Sequence, residues 1–172
     1  LTTELYEFRR VDPPLPAPLI AELLRFWKTI FQGDFSGFDA MLAGKESQLN
    51  RHSVYLAEQR GKIAATCRMG ISLSDPRLAC LGEVATAPEH RGHNLTTRLC
   101  CQAVYDFDHA DGQAFFLGTV NPVAAKIYTR LGWRYLAGTK VMLRTSSGLT
   151  PEEFMVDYFR QGLELPVKVA PG

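Results

Sequence analysis

The sequence predicts an α/β layer fold, a mixed sheet flanked by helices. Three observations predict it. Residues 53–59 and 63–72 both read as strands and are joined only by Arg60-Gly61-Lys62, short enough for a hairpin. From residue 78 onward, apolar strand-like runs alternate with segments of helical period, the order expected of sheet and helix layers. Proline, glycine and asparagine stand at the junctions. At 172 residues the chain suits one domain with a full core. The expected organisation is a single domain over 1–172, with its core motifs in 50–145 and a C-terminal helix and tail in 146–172.

In chain order, residues 3–11 mix Leu5, Tyr6 and Phe8 with charged residues as a first strand does. A proline-rich linker, residues 13–18, leads into a helix over 17–31, whose wide apolar face (Leu19, Leu23, Phe26, Trp27, Ile30) predicts deep burial. Residues 33–37 break it, and 38–43 suit a short second helix. The hairpin follows, then a turn at Asp75-Pro76 and an apolar strand over 78–86. Pro88 cannot donate to a sheet ladder and closes that strand. Leu95, Leu99, Ala103, Val104 and Phe107 then recur at helical spacing. Residues 114–120 read as a buried strand running into a helix with Asn121 as N-cap, Pro122 in its first turn and Gly132 just past its end. Strands at 134–137 and 140–144 close the sheet around Gly138. Thr150 caps a final helix over 151–160, with Glu152 and Glu153 in its first turn, and 165–172 reads as irregular.

Two segments carry functional information. Between the strand ending near Thr86 and the next helix lies Arg91-Gly92-His93-Asn94, followed by Leu95, Thr96 and Thr97. Asparagine tolerates positive φ, and such a turn leaves backbone N–H groups free at a helix N-terminus, where the dipole favours an anion such as phosphate. The run resembles the R/Q-x-x-G-x-G/A phosphate loop of the GNAT acyl-CoA N-acyltransferases, with Asn94 and Thr96 standing where the family has small residues. The second segment, N-P-V-A-A-K-I-Y-T-R-L-G-W from Asn121 to Trp133, resembles that family's N-x-x-A-x-x-x-Y…G-F/W signature. Asn121 and Tyr128 lie two helical turns apart and share a face.

The resemblance implies a mostly antiparallel sheet whose central strands splay to admit a pantetheine arm. It also implies direct transfer of an acetyl or other acyl group from acetyl-CoA to an amine. By resemblance, backbone groups of Val84, Ala85 and Thr86 would pair with pantetheine, and N–H groups from Gly92 to Thr97 would hold the pyrophosphate. Arg91 would add charge there, unless it is only solvated; His93 could touch phosphate but is expected to point outward. Asn121 would contact the cofactor arm, although capping alone explains it. Tyr128 is the expected acid for the departing thiolate, with an ordinary core aromatic as the other reading. Residues 115–118 offer no carboxylate, so Glu83 is the alternative base, or else the partner of a cation on a neighbouring strand. A non-catalytic acyl-CoA-binding module on the same fold, and an interaction domain without cofactor, are the competing readings.

Bulk properties narrow the partners. With 19 basic and 18 acidic side chains and a net charge of +1, nothing points to nucleic acid or an anionic membrane. No apolar run approaches a membrane span, and no signal peptide is visible. Cys67, Cys80, Cys100 and Cys101 lack zinc-ligand spacing, no metal is expected, and reduced thiols suit the cytoplasm. A homodimer is compatible with this reading. The leading leucine suggests a chain excised from a longer product.

Overall fold

The computed structural model describes residues 6–162; the first residues of the predicted first strand and the predicted irregular tail lie outside them. Seven strands form one sheet: β1 (Glu7–Val11), β2 (Asn50–Gln59), β3 (Lys62–Ser72), β4 (Leu78–Thr86), β5 (Ala114–Gly118), β6 (Arg134–Tyr135) and β7 (Val141–Thr145). Their order is β1-β2-β3-β4-β5-β7-β6, and only the β4–β5 pair is parallel. The helices are α1 (Ala17–Phe31), α2 (Phe38–Leu42), α3 (Leu95–Asp108), α4 (Pro122–Arg130) and α5 (Pro151–Arg160), with a 3₁₀ turn at Pro88–His90. None of these helices is long and apolar enough to cross a membrane.

Each face of the sheet has its own core. On one face, Cys67 and Met69 of β3 and Phe115 of β5 pack with Leu99, Cys100 and Phe107 of α3 and Tyr128 of α4. On the other, Leu23 and Trp27 of α1 and Leu42 of α2 pack with Val54, Leu56 and Ala85. The wide apolar face of α1 sends only Leu23 and Trp27 to full burial, while its flanking residues are half-buried. Both tryptophans bury their rings and satisfy their N–H groups: Trp133 Nε1 donates to Phe115 O at 2.8 Å, and Trp27 Nε1 to Thr66 Oγ1 at 3.0 Å. Against the third cluster, around Ala114 and Leu143, α5 packs Phe154.

Two departures from a regular sheet position the site. First, β4 and β5 pair only from Leu78↔Ala114 to Cys80↔Phe116. Beyond that point β5 stays with β7 through Gly118↔Val141 while β4 continues to Thr86, so the two strands diverge. Second, the β3–β4 register passes from Thr66↔Ala85 to Arg68↔Gly82, setting Cys67 against both Glu83 and Val84. This is a β-bulge, and Glu83 takes φ 45° within it. The predicted β5 is two residues longer than the observed strand and the predicted β6 likewise, because the chain turns at Thr119 and Leu136.

Candidate active site

The loop between β4 and α3 is built by residues that accept positive φ. Gly92 has φ 82° and Asn94 φ 63°, and Asn94 occupies the N-cap place without a side-chain cap bond. After Arg91 N, which donates to Pro88 O at 3.3 Å, the next N–H to find a backbone acceptor is that of Arg98, which donates to Asn94 O at 3.1 Å. Among the described residues, the N–H groups of Gly92, His93, Asn94, Leu95, Thr96 and Thr97 have none. Six consecutive free donors at the N-terminus of a fourteen-residue helix form a cradle for an anion. The buried Leu95 side chain fixes the cradle to the core.

Side chains around the loop divide into braces and free groups. His93 bonds back through Nδ1 to the carbonyls of His90 (3.2 Å) and Arg91 (3.1 Å). Carbonyls only accept, so Nδ1 carries the proton, and the ring closes the loop beside Tyr6 at 5.6 Å between centroids. Thr96 Oγ1 lies 2.8 Å from Thr86 Oγ1, which draws its branched side chain toward β4 and ties the strand end to the first turn of α3. Arg91 is exposed and forms no ion pair among the described residues.

The cradle opens next to the divergence of β4 and β5. Ala87 N donates to Ala64 O at 2.9 Å, so strand alternation turns the backbone groups of Ala85 toward β3 and those of Val84 and Thr86 toward the gap. Ala85, expected to offer backbone groups to a ligand, borders the cleft with those groups on the β3 side of the strand by this alternation. Asn121, on the far side, accepts from Val123 N (2.9 Å) and Ala124 N (3.4 Å) as a helix cap.

Tyr128 projects from α4 into the core beneath this gap and is only 6% exposed. Its neighbours include Trp133, edge-on at 6.2 Å, and the buried thiols of Cys67 and Cys100. Its hydroxyl has no hydrogen-bond partner among the described residues. Burial pushes the phenol pKa well up, so the hydroxyl keeps its proton across the neutral range.

Glu83 lies on the opposite face of the sheet, where the bulge carries it toward α1 and α2. Its Oε2 accepts a charge-assisted hydrogen bond from Arg68 Nε, and both side chains are 13% exposed. Arg68 Nη1 reaches His52 Nδ1 at 3.1 Å. Arginine only donates, so Nδ1 must accept and the His52 proton sits on Nε2, which is buried without a partner; Glu46 Oε2 is 3.8 Å away. Burial, and then the Arg68 charge, lower the His52 pKa. Gly70 and Gly82 make this arrangement possible. A Cβ at Gly82 would stand 2.9 Å from Arg68 Nη2, and one at Gly70 would stand 3.0 Å from both Arg68 Nη1 and His52 Nδ1. Sequence reasoning missed Arg68 and His52 because their contacts cross strands. The available signal was a pair of glycines inside strands, which marks a bulge or close approach.

The site thus joins a strand pair that opens after Cys80↔Phe116 to a run of N–H groups without backbone acceptors. The sequence profile of the acetyltransferase (GNAT) domain matches residues 17–136. The chain belongs to the GNAT acetyltransferases, enzymes that move an acetyl group from acetyl-CoA to an amine. Solved structures share the fold at low identity. An acyl-CoA N-acyltransferase from Pseudomonas aeruginosa superposes with TM-score 0.66 and 16% identity, covering 82% of this chain and 100% of its own. Escherichia coli ElaA gives 0.63 and 20%, covering 81% and 99%. The PaiA N-acetyltransferase from Thermoplasma acidophilum, solved in complex with coenzyme A, gives 0.57 and 15%, covering 82% and 99%. No curated protein is detectably similar to this chain in sequence.

Proposed function

We propose that the protein acetylates an amine by direct transfer, with the acetyl-CoA diphosphate in the Gly92–Thr97 cradle and the pantetheine arm between β4 and β5. The observation that carries this reading is the run of unpaired N–H groups facing the place where β4 parts from β5. Val84 and Thr86 would bond the arm through their outward backbone groups, Arg91 would add charge beside the phosphates, and Asn121 would border the arm while capping α4. The neutral amine attacks the thioester carbonyl, the C–S bond breaks, and Tyr128 gives its proton to the departing thiolate. The amine proton leaves through water to Glu83, whose Oε1 makes no hydrogen bond among the described residues while Oε2 holds Arg68. The phenol then regains a proton from solvent.

The unbroken seven-stranded sheet supports a single domain. Free thiols at all four cysteines suit the cytoplasm. Nucleic acid and membrane are not among the partners of this reading. A homodimer, suggested by the exposed Val156 and Phe159 of α5, is checked by light scattering. The engagement of Glu83 by Arg68 favours one second reading, a module that binds acyl-CoA without transferring it. Single-turnover assay with an amine panel separates the two: product within one turnover supports the enzyme, and binding without product supports the module.

A further inference from the structure

The overall charge balance hides a local segregation. No acidic residue occurs from Gly112 to Pro151, whereas Lys126, Arg130, Arg134, Lys140 and Arg144 all fall there. Arg144 is paired with Asp108 at 2.7 Å. The other four have no ion-pair partner among the described residues. Lys126 and Arg130 stand one turn apart on α4, where like charges repel. The helix dipole accounts for Arg130 in the last turn but not for Lys126 in the middle.

These two cations line a groove of about 460 Å³ with Pro122, Ala125, Thr129 and the Tyr135 ring of β6. Tyr135 is 47% exposed, and Val123, on the same helix, is 67% exposed. Neither Asn121 nor Tyr128, the α4 residues placed at the cofactor cleft, lines it. The groove therefore combines apolar and aromatic walls with uncompensated positive charge, on residues other than those placed at the transfer site.

We infer that the α4–β6 groove is a docking site for an acidic polypeptide segment carrying an aromatic or aliphatic side chain. The apolar residue enters between Pro122 and Tyr135, while flanking carboxylates meet Lys126 and Arg130. Charge complementarity selects an acidic partner, and the apolar wall selects a peptide over nucleic acid, which would need a longer array of phosphate contacts.

The test uses the full chain and a fluorescein-labelled peptide, Glu-Asp-Glu-Phe-Glu-Asp, read by anisotropy with saturating coenzyme A present. Saturable binding is expected, weakened at least tenfold by Lys126→Glu with Arg130→Glu, by Tyr135→Ser, or by replacing the peptide phenylalanine with glycine. Raising salt from 0.1 to 0.5 M should weaken it as well. Unchanged melting temperature and unchanged coenzyme A binding show that each variant is folded. Equal affinity for wild type and the double variant overturns the inference. So does tighter binding of a twelve-nucleotide oligothymidylate, or peptide binding seen only without coenzyme A, which would assign the groove to the cofactor.

Discussion

Tyr128 and Glu83 show how much a side chain's surroundings decide. Tyr128→Phe removes the hydroxyl proposed as the proton donor and little volume, so turnover should fall about 10²-fold while acetyl-CoA affinity holds. Steady-state kinetics beside equilibrium binding checks this, and unchanged turnover removes Tyr128 as the acid. Arg68→Ala would strand the carboxylate of Glu83 and cost about 3 kcal/mol by urea unfolding, while Arg68→Ala with Glu83→Gln should recover part of that loss. Both positions entered as residue types in a pattern: the resemblance of the Asn121…Tyr128 segment to the family signature singled out the phenol, and the lone carboxylate in an apolar strand asked for a partner. That partner was not legible, since Arg68 meets Glu83 only through a bulge between strands.

At the scale of elements, the β4–α3 loop is a case where local chemistry does dictate backbone. Asn94 tolerates φ 63°, so Asn94→Gly should preserve stability and cofactor affinity, whereas Asn94→Val should cost about 1–2 kcal/mol and weaken acetyl-CoA binding. Thermal melts with and without acetyl-CoA read both effects. Helix ends were equally readable, because Asn121 and Thr150 accept the N–H groups that their types predict. The divergence of β4 and β5 was not read from periodicity; the family resemblance supplied it, because pairing across a sheet depends on register rather than on either strand's own sequence. The five cations of the acid-free stretch were visible in the sequence, yet a whole-chain charge count averaged them away.

For the whole molecule, buried phenols set an alkaline limit. Burial raises the pKa of Tyr128, and burial and then the hydrogen bond to Asp106 raise that of Tyr55. The unfolded chain gives up those protons near pH 10, so above it the folded state binds more protons than the unfolded. Their contribution to stability is therefore complete below pH 10 and declines as pH rises further. Urea midpoints from pH 8 to 11 should decline less for Tyr128→Phe than for wild type. Ligand linkage gives the second global expectation: acetyl-CoA at a hundred times its Kd should add about 2.7 kcal/mol and several degrees of melting temperature.

The amide cradle can be watched directly. In a ¹⁵N–¹H spectrum of the labelled protein, adding coenzyme A should move the amide resonances of Gly92 to Thr97 strongly downfield, and pantetheine, which lacks the diphosphate, should leave them in place. Coenzyme A binding that leaves those six amides unmoved would contradict the account.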